Sequence, residues 1–73
     1  MEEDIQEALE KIYKIKIKVT WRDFRIYDII GQIEHGKFEV GILYDTTLTI
    51  DGNLPSIINA VDNAIIKLYK KEN

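Results

Sequence analysis

Cysteine is absent from this chain, which excludes both a disulfide framework and a thiolate metal site. A reducing, cytoplasmic setting fits that absence. Apolar runs are short, and none approaches the ~20 residues needed to span a bilayer. The start, Met1-Glu2-Glu3-Asp4, is acidic where a secretory signal would be basic, so neither membrane crossing nor export by that route is expected. The four glycines form no GxGxxG or GxxxxGK arrangement, which removes the loops that cradle phosphates in those motifs. Histidine and serine occur once each, as His35 and Ser56. A nucleophile paired with a base cannot be assembled from them by sequence, because His35 falls in a turn and Ser56 near a helix start. Neither a metal nor a cofactor is expected, and an enzyme is the least supported class.

What the chain does contain is mildly acidic and unevenly charged. The net charge is −3 across 73 residues, which argues weakly against a dedicated nucleic-acid binder. Glu2, Glu3, Asp4, Glu7 and Glu10 crowd the first segment, and Lys11, Lys14, Lys16, Lys18, Arg22 and Arg25 follow directly. The length allows one domain, residues 1–73. A domain of this size buries only about 60% of the surface its unfolded chain exposes.

Periodicity gives the elements. Ile5, Ala8, Leu9 and Ile12 recur at helical spacing, so residues 2–12 form an amphipathic helix with acids in its first turn. From Tyr13 the period becomes two: Ile15, Ile17, Val19 and Trp21 share one face of a strand, with Lys14, Lys16, Lys18 and Thr20 on the other. After a tight turn near Arg22-Asp23, Phe24 and Ile26 continue the apolar face, and a bulge at Asp28 keeps that carboxylate from pointing inward. The competing reading is a short helix from Thr20, since Thr20-x-x-Asp23 has the form of a capping box. A two-residue turn at His35-Gly36 would set Ile33 opposite Phe38, Gly31 opposite Val40 and Ile29 opposite Ile42. Glu34 then faces Lys37, and Gln32 faces Glu39.

A loop at Tyr44, Asp45 and Thr46 would lead into a fourth strand that sets Leu48 against Ile42 and Ile50 against Val40. Asn53 caps the last helix, Pro55 sits in its first turn, and an apolar stripe from Leu54 to Leu68 carries it to about Lys71. The expected fold is α+β, a two-layer sandwich of order α-β-β-β(-β)-α, with an antiparallel meander sheet and two helices on one face. No glycine or proline separates the first helix from the first strand. Its Ile5-Leu9-Ile12 face is therefore expected to pack on a second copy, giving a homodimer.

The order α-β-β-β-α resembles that of double-stranded-RNA-binding domains. That resemblance implies a phosphate clamp at a lysine-rich start of the second helix; the matching stretch, Asn53-Leu54-Pro55-Ser56-Ile57-Ile58, has no lysine. Over Ile33 to Lys71, Gly36-Lys37-Phe38-Glu39-Val40 and Asp51-Gly52-Asn53-Leu54 resemble the β-β-β-α body of HicB-type antitoxins, without that family's Pro-Asp-Leu and Gly-Cys elements. The chain is assigned to neither family.

Three surfaces remain as candidates. Asp45, Thr46, Thr47, Thr49, Asp51 and Asn53 form the richest oxygen cluster, but the alternating ligands and closing glutamate of a calcium loop are missing. Lys14, Lys16 and Lys18, with Arg25 and Tyr27 opposite, could contact phosphates and stack on a base. Lysine on an edge strand also serves simply to prevent edge-to-edge aggregation. Tyr27, Ile30 and Leu43, with Gly41 between strands, make an outward apolar cluster of the kind that marks an interface. The favoured expectation is a small non-enzymatic protein-binding module with a protein partner of unknown identity. Size, lack of catalytic apparatus and an Ile/Lys/Asn-rich composition point to an inhibitor or antitoxin-like factor of a phage or mobile element. The alternative is a nucleic-acid-binding domain using the lysine-rich strand face.

Overall fold

A computed structural model describes residues 2–72, and side chains from 5 to 71. Helix α1 spans Glu2–Tyr13, strands β1, β2 and β3 span Lys16–Arg22, Arg25–Ile33 and Gly36–Gly41, and helix α2 spans Ile50–Glu72. The strands form one antiparallel sheet of order β1-β2-β3. Both helices pack on the same sheet face. The core between the layers is Ile5 and Leu9 of α1, Ile17, Ile26, Ile29 and Phe38 of the sheet, and Ile57 and Val61 of α2. Among the described residues no helix is long and apolar enough to cross a membrane.

The first helix turns back on its own sheet, contrary to the expectation that it would pack on a second copy. Leu9 is 0% and Ile5 4% exposed, while Ile12, the third member of the stripe, is 52% exposed. Lys14 makes the reversal: it takes φ 57 and its N–H bonds the Glu10 carbonyl at 2.7 Å. It thus occupies the left-handed position usually held by glycine after a helix. The return path places α1 along the free edge of β1, where Val19 N–H donates to Gln6 Oε1 at 3.1 Å and Ile17 N–H to Glu10 Oε2 at 3.2 Å. Four helical residues rise about 6.0 Å and two strand residues about 6.6 Å. That near match of periods lets side chains four apart on α1 cap N–H groups two apart on β1. A hydroxyl ties the helices together, with Tyr13 Oη donating to Asp62 Oδ1 at 2.6 Å and the Ile58 carbonyl 3.2 Å away.

The β1–β2 turn is Asp23-Phe24, both at positive φ (52 and 63), the pattern whose twist suits a two-residue hairpin. Phe24 is therefore a turn residue, 97% exposed, and not a member of the core face. The bulge exists one residue earlier than expected: Thr20 pairs Asp28 and Trp21 pairs Ile26, leaving Tyr27 as the extra residue. Its effect is the phase change required, since Ile26 and Ile29 are both 0% exposed although three apart. Thr20 lies within β1, so the capping-box helix does not form.

The β2–β3 register differs from expectation by two residues. Ile33 pairs Gly36, Gly31 pairs Phe38 and Ile29 pairs Val40, so the turn is Glu34-His35. Gly36, at φ 131, absorbs the backbone strain that side-chain-bearing Glu34 and His35 avoid. The Phe38 ring lies over Gly31, where an added Cβ would overlap its Cζ and Cε2. His35 in turn packs edge-on against Tyr69 of α2, centroids 4.5 Å apart.

Among the described residues no fourth strand forms. Residues 42–49 are a loop, joined to the sheet through Trp21 against Tyr44 (centroids 6.0 Å apart). Thr49 caps α2, its Oγ1 accepting from Gly52 N–H at 3.1 Å, so the helix starts before the position expected from Asn53. Asn53 is instead buried inside the helix, 2% exposed. Its Oδ1 accepts from Asp45 N–H at 2.7 Å, and its Nδ2 lies 2.9 Å from the carbonyls of Asp45 and Thr49. Pro55 falls beyond the first turn of α2 and leaves the Asp51 carbonyl without its helical donor.

Candidate functional site

With both helices on one side, the outer sheet face is open. Its residues lie in rows across the strands: Lys16, Gln32 and Lys37; then Lys18, Ile30 and Glu39; then Thr20, Asp28 and Gly41. Beyond the bulge, Arg22 pairs Arg25.

The three residues expected to form an apolar interface are divided by the true register. Tyr27 and Leu43 line one shallow depression of about 490 Å³ together with Asp28, Glu39, Gly41 and Ile42. Leu43 is 95% and Tyr27 47% exposed. Ile30 lies elsewhere, among Lys16, Lys18, Gln32 and Lys37. In the expected register Ile30 faced Gly41; in the structure it faces Glu39.

The wall of the first depression includes a pair of carboxyl groups. Asp28, hydrogen-bonded to Glu39 and repelling its charge, raises the Glu39 pKa above the ordinary carboxylate value. The bulge places Asp28 there, with Oδ1 buried and without a hydrogen-bond partner. A lone buried acceptor beside a second carboxylate is an unfavourable local arrangement unless a donor or cation reaches it.

The five residues of the nucleic-acid alternative are also dispersed. Lys14 lies at the left-handed corner after α1, ahead of β1 and outside the depression that groups the strand lysines. Lys16 and Lys18 remain exposed on β1 and are joined by Lys37 from β3. Arg25 and Tyr27 lie at the opposite end of the hairpin. One face of the Tyr27 ring is covered by the Arg22 guanidinium, 4.1 Å from its centroid. Lys37 was missed because the expected pairing set it against Glu34 at the turn; the two-residue shift moves it opposite Gln32.

The oxygen cluster is accounted for by backbone chemistry. Asp45 Oδ1 accepts from Thr47 N–H at 2.9 Å and Thr47 Oγ1 at 2.6 Å, and these bonds hold the Asp45 pKa below its ordinary value. Thr49 and Asn53 hold the same loop onto α2, as described above. Among the described residues no three His, Cys, Asp or Glu side chains are grouped to hold a metal ion. No protein-family model, curated protein or solved structure matches the chain.

Proposed function

We propose that this chain is a non-enzymatic protein-binding module whose contact surface is the helix-free sheet face around Tyr27 and Leu43. The supporting observation is Leu43, 95% exposed beside a half-exposed Tyr27 on a face that no other element covers. Aliphatic and aromatic surface grouped in a concave patch gains free energy when a partner removes it from water. The polar surroundings, Asp28 and Glu39 on one side and Arg22 on the other, supply orientation. In this reading the partner is a protein of the same compartment, and the cytoplasm fits a chain without cysteine. An inhibitor or antitoxin-like role in a phage or mobile element is the form of this activity that the size and composition favour.

Tagged wild-type chain, Leu43→Asp and Lys16→Ala are to be compared in affinity capture from a host lysate. A partner retained by wild type and Lys16→Ala but lost with folded Leu43→Asp supports the proposal, because a desolvated interface does not accept an unpaired carboxylate without a cost of about 1–3 kcal/mol. Full capture by a folded Leu43→Asp would refute it. A second reading, nucleic-acid binding, rests on Lys37 joining Lys16 and Lys18 on one face. It requires binding that falls steeply with salt and is lost when these three lysines are neutralised.

A further inference from the structure

The two edges of the sheet are treated differently. On β1, the outward N–H groups of Ile17 and Val19 are taken by Glu10 and Gln6 of α1. In an antiparallel ladder, successive residues point their backbone groups to alternate sides. If Ile17 and Val19 point away from β2, then Lys16, Lys18 and Thr20 bond to Gln32, Ile30 and Asp28. Ile33, Gly31 and Ile29 consequently bond to Gly36, Phe38 and Val40. Ile42 N–H, bonded to the Tyr27 carbonyl at 3.0 Å, continues the same parity. Lys37 and Glu39 therefore direct both N–H and C=O away from the sheet. Among the described residues no group is bonded to that outward backbone.

We propose that the β3 edge is a homodimer interface, at which two copies of the chain pair Lys37–Glu39 antiparallel about a twofold axis at Phe38 to form one six-stranded sheet. This goes beyond the partner-binding reading and does not depend on it. Charge selects the register. With the axis at Phe38, each Lys37 lies opposite Glu39 of the other copy, and four backbone hydrogen bonds form between the outward groups. An axis at Glu39 would set Glu39 against Glu39, and one at Lys37 would set Lys37 against Lys37; like charges directly opposite are unfavourable.

Two features of the single chain suit this arrangement. Glu39 already shares its outer face with Asp28, and the second copy's Lys37 brings a cation to that pair of carboxyl groups. On the helix layer, a groove of about 580 Å³ runs beside β3, with Ala60, Asn63 and Ala64 of α2 along its wall. Lys67, Leu68 and Lys71 continue the same wall, so the groove keeps α2 to one side of the β3 edge and leaves that edge open to a second copy. Closed twofold pairing also covers the bare β3 edge, and a bare edge is a recognised aggregation hazard.

Sedimentation equilibrium of the full chain over a micromolar concentration series tests this, with Lys37→Glu, Glu39→Lys and the double exchange. Because each single reversal turns both symmetric pairs repulsive, it is expected to weaken association by about tenfold or more. The double exchange is expected to restore it. In the wild type, hydrogen exchange at the Lys37 and Glu39 amides is expected to slow as concentration rises, a reading that needs no variant. A monomer throughout the series would overturn the proposal. So would a dimer indifferent to both single reversals, or one in which those two amides exchange at monomer rates.

Discussion

Gly31→Ala is the most informative single change to the fold, because its sign depends on strand register. In an ordinary strand position, alanine is favoured over glycine by about 0.5–1 kcal/mol through backbone entropy. Here the added methyl would overlap the Phe38 ring, itself only 6% exposed. The ring cannot swing outward without losing its burial, nor inward into the packed core cluster to which it belongs. Overpacking of this kind costs about 1–3 kcal/mol, so Gly31→Ala is expected to destabilise despite its better propensity. The mechanism is checked by a double-mutant cycle with Phe38→Leu, a truncation expected to cost roughly 1–2 kcal/mol alone. Once the ring is gone the methyl has room, so Gly31→Ala/Phe38→Leu is expected to be no less stable than Phe38→Leu. The coupling would be on the order of 1–3 kcal/mol. Urea titrations at constant m value give all four corners. A neutral or stabilising Gly31→Ala, or strict additivity, would refute the placement of Phe38 opposite Gly31.

Lys14→Gly is expected to stabilise by about 0.5–1 kcal/mol, since it relieves a side chain held at φ 57; destabilisation in the same titration would contradict that corner. Asn53→Ala is expected to cost about 2–4 kcal/mol, because it strips partners from Asp45 N–H and from two carbonyls in a site only 2% exposed. Asn53→Asp keeps the acceptor but loses both donors and is expected to rescue little. For Tyr13, burial first and then the hydrogen bond and charge of Asp62 raise the pKa above the free value of 10.0. A raised folded-state pKa contributes stability that is fully present below the unfolded value and is lost as pH rises above it. Stability is therefore expected to fall above pH 10 in the wild type, and less steeply in Tyr13→Phe. Identical alkaline slopes in the two would show that Tyr13 does not carry the loss.

The parts of the fold legible in the sequence are those set by which face a residue takes. Ile5 and Leu9 on one helix stripe, Ile17 on β1, and Ile57 and Val61 on α2 could be read from spacing alone, and each is buried. A bulge was required to keep Asp28 out of the core, and one is present at the neighbouring residue. The parts that escaped are corners. Lys14, Asp23 and Phe24 adopt left-handed backbone without being glycine, so no residue type announces them. Asn53 has the composition of a cap, yet Thr49 performs that role. Asn53 sits four residues further on, inside the helix, because its amide satisfies three loop groups at once, which no local pattern reveals.

The outer face was harder to read than the inner one for a reason that lies in the geometry of strands. Side chains alternate with a period of two, so a slip of two residues between β2 and β3 leaves every inward residue inward. The apolar pattern that identifies the core is blind to that slip. What changes is who stands beside whom. Ile30 loses Gly41 as its neighbour and gains Glu39, Lys37 leaves the turn and joins Lys16 and Lys18, and Glu39 comes within reach of Asp28. The choice between registers is made by local chemistry: Gly36 accepts φ 131 directly after the Glu34-His35 turn, and Gly31 alone leaves room for the Phe38 ring. Two glycines five residues apart thus decide which charges and apolar groups meet on the exposed surface. The outer face of the sheet is in that sense specified by residues on its opposite side and at its ends, and changes at Gly31 or Gly36 would alter which side chains meet there without touching them.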